Sequence, residues 1–375
     1  MSGLYLHIPF CKSRCVYCGF YSTTQSAMRQ RYVDALCREM ELRQSEATTI
    51  DTVYLGGGTP SQLTAEQLQQ LFSHIADCYR LNTRGADFEV TMEVNPDDVT
   101  AHFAELLAQL PVNRVSMGVQ TFDDERLRFL RRRHTAAQAL LAFRRLRRAG
   151  IANISIDLMY GFPQQALADW LSDIEQAIAL GAEHLSAYCL MVEEGTPLEK
   201  MLKDNAQCFR GVSSEEVERQ MYYALIDRLS AAGYEHYEIS NFARRGYHSR
   251  HNSSYWHDVN YIGLGAAAHS YDRRARQWNV SDIRQYINAI EHGMVPSECE
   301  CLDDDTRYND RVTVALRTAE GLDLGTLSPR HRHYCMQEAR RFLDAGLLRM
   351  SADHLVLTRE GLFLSDMVMS GLMLV

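Results

Sequence analysis

Short β-rich runs alternate with helical patterns through the first 195 residues. "LYLHIP" (4–9) reads as a strand feeding a cysteine-rich loop, and a helical stretch follows from about 27 to 45. "TVYLGG" (52–57) is a strand ending in glycines; 64–79 reads as a helix with Thr64 as its N-cap. "FEVTMEV" (88–94) is a third strand, followed by helix 100–109, and "RVSMGVQ" (114–120) is a fourth. The helix "AAQALLAFRRLRRA" starts after Thr135 and stops at Gly150, with Ala139, Ala142, Phe143 and Leu146 spaced for one face. Strand "ISIDLMYG" (154–161), helix 167–179 and strand "HLSAYCLMV" (184–192) complete the series.

Repeated strand–helix units imply a parallel sheet covered by helices. Six units fall short of the eight of a closed barrel. The expected fold class is therefore α/β, an open, partial (β/α)6 barrel. A further helix is expected over 213–232, opened by the capping box Ser213-x-x-Glu216 and ended near Gly233. Residues 234–275, rich in Tyr, His, Gly and Asn, read as a loop-dense functional region. From about 302 the pattern turns to helices and then "GLLRMSADHLVLTREG" (346–361), a strand–turn–strand wing behind a helix pair. The expected division is a barrel over 1–230, a barrel-closing region over 231–300 and a small winged-helix-like domain over 301–375.

Charge narrows the function. Thirty-nine Lys and Arg against 48 Asp and Glu give a net charge of −9, which argues against a general binder of nucleic acid or anionic membrane. The basic clusters "RLRFLRRRH" (126–134) and "RRLRR" (144–148) read as solvated helix faces. The N-terminal residues lack the cationic and apolar regions of a secretory leader, and no 18-residue apolar run is present. A cytoplasmic location is expected. The ten cysteines then point to metal binding, catalysis or buried thiols rather than disulfides. Cys37, Cys78, Cys189 and Cys208 are scattered and read as small buried hydrophobes.

Three other cysteines are not scattered. "CKSRCVYCGF" (11–20) places Cys11, Cys15 and Cys18 in the spacing C-x3-C-x2-C. A four-iron cluster ordinarily takes four cysteines, so three leave one iron open. A zinc site wants four ligands, usually in two separated pairs; His7 as a fourth ligand lies within a strand pattern. "GGGTP" (56–60) follows the second strand, where glycines allow a backbone to approach a ligand, or simply make a tight turn. Buried carboxylates are costly alone, so Glu93 and Asp157 call for cationic or hydroxyl partners.

The three-cysteine loop after the first strand resembles the signature of radical S-adenosylmethionine (SAM) proteins. The resemblance implies a 4Fe–4S cluster on Cys11, Cys15 and Cys18 whose open iron is chelated by the amino and carboxylate groups of SAM. One electron then cleaves the sulfonium to methionine and a 5′-deoxyadenosyl radical. It further implies SAM contacts from Gly57, Gly58 and Thr59, from Glu93 in "TMEVNP", from Gln120 in "SMGVQTF", from Arg132 and from Asp157 in "SIDLMYG", with Tyr5 beside the cluster.

The order of motifs, with "LHIPFC", "GFPQQ" (161–165) and the C-terminal module, is similar to the oxygen-independent coproporphyrinogen III oxidase superfamily over nearly the whole chain. The oxidase branch has a further cysteine two positions after the third cluster cysteine and an N-terminal extension. Here that position is Phe20 and the first strand begins at about residue 4. The heme-chaperone (HemW-type) branch is marked by H-N-x-x-Y-W, present as "HNSSYW", His251–Trp256, and followed by "DVNYIGLGAAAHSY" (258–271). That resemblance implies a heme site with His251 as axial ligand and Tyr255 and Trp256 as flat faces; the plain alternative is a surface histidine in an aromatic loop. His269 is a second candidate, or a hydrogen-bonded structural histidine. Cys299 and Cys301 (C-x-C) are a further candidate pair for metal or heme that no family motif supports, and His331 and His333 read as exposed helix residues.

The implied function is a chaperone that binds the cluster, SAM and heme. It takes an electron from a donor such as flavodoxin or ferredoxin and passes heme to an acceptor hemoprotein, respiratory and membrane-associated. The alternatives are the oxidase, or another porphyrin-directed radical enzyme, and a zinc-stabilised scaffold.

Overall fold

The computed structural model describes residues 2–47, 49–83, 88–204 and 214–374. Strands β1 (Ser2–Ile8), β2 (Thr52–Gly57), β3 (Glu89–Val94), β4 (Arg114–Gln120), β5 (Asn153–Tyr160) and β6 (His184–Cys189) lie side by side, all parallel, in chain order. Between them run α1 (Arg29–Arg43), α2 (Ala65–Cys78), α3 (Ala101–Gln109), α4 (Asp124–Phe129), α5 (Ala136–Arg148) and α6 (Leu167–Leu180). Thr64 and Thr135 each accept the N3 amide, from Gln67 and Gln138, whose side chains reach back to the cap amide. Such boxes stabilise a helix start by about 1 kcal/mol. Helix α4 lies in the stretch read as a basic solvated face; Asp123 caps it by accepting from the Glu125 and Arg126 amides.

Each strand carries two different faces. Leu4, Leu6 and Ile8, Val53 and Leu55, Met117, and Ile154 and Ile156 join the helices in one core. The alternate positions are polar or aromatic: Tyr5 and His7, Tyr54, Glu93, Arg114 and Ser116, Ser155 and Asp157. A closed (β/α)8 barrel fills its lumen with branched apolar side chains. Here the inner face is instead a polar chamber.

After α7 (Pro197–Asp204), α8 (Glu215–Ala231) starts at Ser214, whose hydroxyl accepts the Val217 amide. The expected cap Ser213 and Cys208 lie outside the described residues. The region read as loop-dense keeps much turn and loop but also holds short strands: β7 (Glu235–Glu238), β8 (Asn241–Ala243), β9 (Asn260–Leu264), β10 (His269–Tyr271) and the start of β11 (Ala275–Asn279), with α9 (Arg250–Trp256) among them; α10 (Ile283–Glu291) and β12 (Ser297–Cys301) follow. These strands do not close the barrel as expected. They lengthen the sheet at both edges, in the order β12-β11-β10-β9-β1-β2-β3-β4-β5-β6-β8-β7. β9 runs parallel to β1 as a seventh parallel strand, with Ser2 opposite Asn260.

A buried ion pair ties this extension down. Arg43 and Glu39 are both buried; Arg43 donates to Gly263 O at 2.9 Å and to Ser270 Oγ at 3.1 Å. Glu39 accepts from the Gly265 amide, Asn279 Nδ2 and the Tyr286 hydroxyl. Full hydrogen bonding of both charges makes their burial tolerable.

The C-terminal part has its own core of Tyr308, Val312, Leu316, Leu355 and Leu372 among others. It comprises α11 (Asp304–Leu316), β13 (Leu322–Asp323), α12 (Pro329–Asp344), β14 (Leu348–Ser351), β15 (His354–Leu357), α13 (Arg359–Phe363) and α14 (Ser365–Leu372). β14 and β15 form the wing, with β13 on the far side of β15. Arg317 pairs with the buried Glu238 at 2.8 Å and so joins this part to the barrel. His331 is not exposed as expected: it stacks on Tyr308 and bonds Asp305 at 2.8 Å. His333, Cys299 and Cys301 are exposed and Cys37 is buried, whereas Cys78 and Cys189 are only partly buried.

Candidate functional site

The cysteine loop leaves the C-terminal end of β1. Its base is pinned by Cys11 N donating to Thr23 O and Thr23 N donating to Pro9 O. Its middle is anchored by Val16, fully buried against Leu130, Met159, Phe162 and Leu198 in a small core of its own. Cys11, Cys15 and Cys18 are therefore held on a fixed turn, all free and partly exposed. Burial pushes the Cys11 and Cys18 thiols up, so a bound metal must displace their protons. Among the described residues no three metal-ligating side chains converge on one ion. A cubane needs no such convergence, because its thiolates bind different irons, whereas a single zinc does.

A chain of hydrogen bonds links two of these sulfurs. Cys11 Sγ lies 3.5 Å from Thr59 Oγ1, which accepts from Asn95 Nδ2 at 3.1 Å. Asn95 Oδ1 accepts from Arg132 Nη2 at 2.7 Å, and Arg132 Nη1 donates to Cys15 Sγ at 3.5 Å. Arg132 also donates to Gly118 O, yet its buried Nε has no partner among the described residues. Donors aimed at thiolates, with a buried cation left short of an acceptor, fit an anionic cluster and a carboxylate ligand. Asn95 was not singled out in the sequence; its only mark was its place after the β3 carboxylate in "TMEVNP".

The glycines after β2 let the chain pack closely against β1 and its loop. Gly57 has φ +105°, and a Cβ there would lie 2.5 Å from the His7 ring; at Gly58 a Cβ would lie 2.6 Å from the backbone of Pro9. A side chain at either position would collide with the protein itself. His7 is no spare ligand: its Nδ1 accepts from the Tyr5 hydroxyl and its Nε2 donates to Tyr21 O. Gln120, at the β4 bulge, is buried in a left-handed conformation (φ +70°) that non-glycine residues adopt at a cost.

The two carboxylates have the hydroxyl partners that burial demands. Tyr54 donates to Glu93 at 2.8 Å, with the Gly57 amide at 3.2 Å; Ser116 donates to Asp157 at 3.3 Å. Burial raises Glu93 to about 7 and Asp157 to about 6, while Arg114, itself buried with two nitrogens that lack a partner among the described residues, pulls both back down. Between the usual carboxylate range and 7, Glu93 is ionised in the unfolded chain and protonated in the folded one. Stability of the cofactor-free chain therefore falls as pH rises through that window. Glu93→Gln is expected to flatten that slope and to stabilise the cofactor-free chain at pH 8 by on the order of 1–3 kcal/mol, read by denaturant titration at pH 5 and pH 8. A slope unchanged by the substitution would count against the assignment.

The aromatic motif is a helix rather than a loop, and its histidine is not on the surface. His251 lies on α9 at the N-terminal ends of the barrel strands, away from the cysteine loop, and is 0% exposed. Its Nδ1 meets Thr52 Oγ1 at 2.9 Å, its Nε2 meets the Tyr255 hydroxyl at 2.8 Å, and its ring stacks on Tyr54 at 5.1 Å. Glu89 holds the start of α9 by accepting the Arg250 and His251 amides, each at 3.0 Å. Neither ring nitrogen is free for iron in this arrangement.

Tyr255 and Trp256 instead face a cavity of about 1440 Å³, which reaches from Arg14 and Phe20 of the cysteine loop past Tyr5, Tyr261, His269 and Tyr271 to α11 and β13. Trp256 Nε1 is buried with no partner among the described residues, and Arg317 packs on its ring. Arg14 and Arg307 line the cavity and form no ion pair among the described residues.

The radical SAM superfamily profile matches residues 5–177, and the HemN C-terminal domain profile matches 302–364. The chain is 33% identical to heme chaperone HemW of Bacillus subtilis strain 168 over 98% of both chains. It is 34% identical to heme chaperone HemW of Mycobacterium tuberculosis strain CDC 1551 over 99% of this chain and 94% of that one. A solved coproporphyrinogen III oxidase (HemN) from Escherichia coli superposes with a TM-score of 0.83 at 21% identity, covering 99% of this chain and 89% of that one, a likeness of fold.

Proposed function

The chain belongs to the HemW heme-chaperone family of the radical SAM superfamily, and on that premise we propose that it carries heme in the cavity beside its cysteine loop and passes it to an acceptor hemoprotein. The cavity carries the reading. It is large enough for a flat macrocycle and walled by tyrosines and Trp256. Heme also brings two carboxylates. Arg14 and Arg307 carry charges with no ion pair among the described residues, and the buried Trp256 N–H has no acceptor there. His251 serves this wall by fixing the Tyr255 hydroxyl.

Cys11, Cys15 and Cys18 would hold the 4Fe–4S cluster. Glu93 and Asp157 would meet the cationic end and the ribose of SAM, with Gly57, Gly58, Thr59, Gln120 and Tyr5 shaping the pocket. When bound, cluster and SAM supply one-electron reductive chemistry. The protein's share is to direct Arg132 and Thr59 at the thiolates and to keep a protonatable carboxyl, Glu93, inside the chamber. The acceptor is proposed to be a respiratory, membrane-associated protein, and flavodoxin or ferredoxin to supply the electron. Among the described residues no helix is long and apolar enough to cross a membrane.

Anaerobic heme titration of the reconstituted chain tests this. One heme per chain, transferable to an apo-hemoprotein, is the expected result, with Trp256→Ala binding about tenfold more weakly. Conversion of coproporphyrinogen III to protoporphyrinogen IX, or absence of heme uptake, would overturn it.

A further inference from the structure

We propose that His269, and not His251, is the side chain that ligates heme iron in the cavity. The inference rests on the heme reading above and deepens it. His269 is exposed into the cavity, and among the described residues neither of its ring nitrogens is hydrogen-bonded. Its position is rigid. The next residue, Ser270, is buried and bonded to Arg43 Nη2 and the Gly263 amide, so strand alternation turns His269 to the opposite face. Its backbone is packed so tightly on β9 that a Cβ at Gly263 would lie 2.0 Å from His269 O. Its cross-strand partner Trp278 lies beside it, ring centroids 6.2 Å apart at 30°. Partial burial, with Arg276 nearby, lowers its pKa, so the imidazole keeps its lone pair at neutral pH.

The other histidines of the cavity are placed differently. His7 has both nitrogens engaged, and His257 bonds Ser253 O and Glu320. His354 lines the cavity from the wing, beside Leu322, Asp323 and Thr326, and stacks on no aromatic ring among the described residues. Burial raises the pKa of the Tyr255, Tyr261 and Tyr271 phenols, which keeps them protonated and poor iron ligands.

The test is a hemin titration of the full, anaerobically reconstituted chain, followed by absorption and electron paramagnetic resonance. Wild type is expected to show a histidine-ligated spectrum. His269→Ala is expected to lose that signature and to bind about tenfold more weakly, with added imidazole restoring the signature. His269→Cys is expected to move the spectrum to a thiolate type, which a merely structural residue would not do. His354→Ala is expected to retain the histidine signature, and so is whatever heme the less stable His251→Ala still binds, its folding checked by circular dichroism. An unchanged spectrum in His269→Ala, or loss of the signature only in His251→Ala or His354→Ala, overturns this inference and leaves the heme reading standing. A wild-type chain that takes up no heme overturns both.

Discussion

Cys15→Ala is expected to leave the chain with little bound iron or sulfide after anaerobic reconstitution, a loss of roughly tenfold or more. Two thiolates cannot hold a cubane that already lacks a fourth protein ligand. The change also removes the acceptor of Arg132 Nη1, so a second buried nitrogen joins the Nε that already lacks a partner. The loop itself should survive, because Val16 and the Thr23–Pro9 bonds anchor it without the sulfur. Unaltered far-ultraviolet circular dichroism beside lost visible absorbance is the expected pair of readings. Full iron and sulfide content in the variant would contradict the cluster assignment.

His251→Ala is expected to leave the cluster in place and to destabilise the fold by about 3–5 kcal/mol. The ring fills a closed site against Tyr54, and its removal strands the Thr52 and Tyr255 hydroxyls in the interior. Denaturant titration reads the loss, and iron content serves as the control. The substitution should also change the response to acid. Burial, reinforced by Arg114, lowers His251 to about 3, so the folded chain keeps it neutral while the unfolded chain protonates near 6.5. Stability from this group is complete above 6.5 and is lost as pH falls toward 3. The variant should lack that component. A loss below about 1 kcal/mol would mean that the ring is not structurally engaged as described.

The parallel half of the molecule was legible because local signals repeat. Thr64 and Thr135 open helices with capping boxes, and apolar runs mark each strand. The three cysteines proposed to hold the cluster stood out for the same reason: their spacing is short and local. The rest depends on distant partners. β8 and β10 are three residues long and carry Asn, His and Tyr, so composition alone made them look like loop. That β9 lies beside β1 is a pairing of residues about 260 positions apart, which no window of sequence contains. His251 looked like an available ligand because the residues that occupy its nitrogens, Thr52 and Tyr255, are identifiable only once α9 is seated under the strands. Asn95 joins Thr59 and Arg132 only after three strand ends are gathered.

The cavity's two walls belong to separate hydrophobic cores, that of the barrel and that of α11 with the wing. A guest bound there touches both and acts as mortar between two bricks. Its loading is linked to cohesion of the whole chain, worth about 2.7 kcal/mol at a hundredfold excess over the dissociation constant. Resistance to unfolding would then gauge occupancy, and release of a bound heme would remove that added stability.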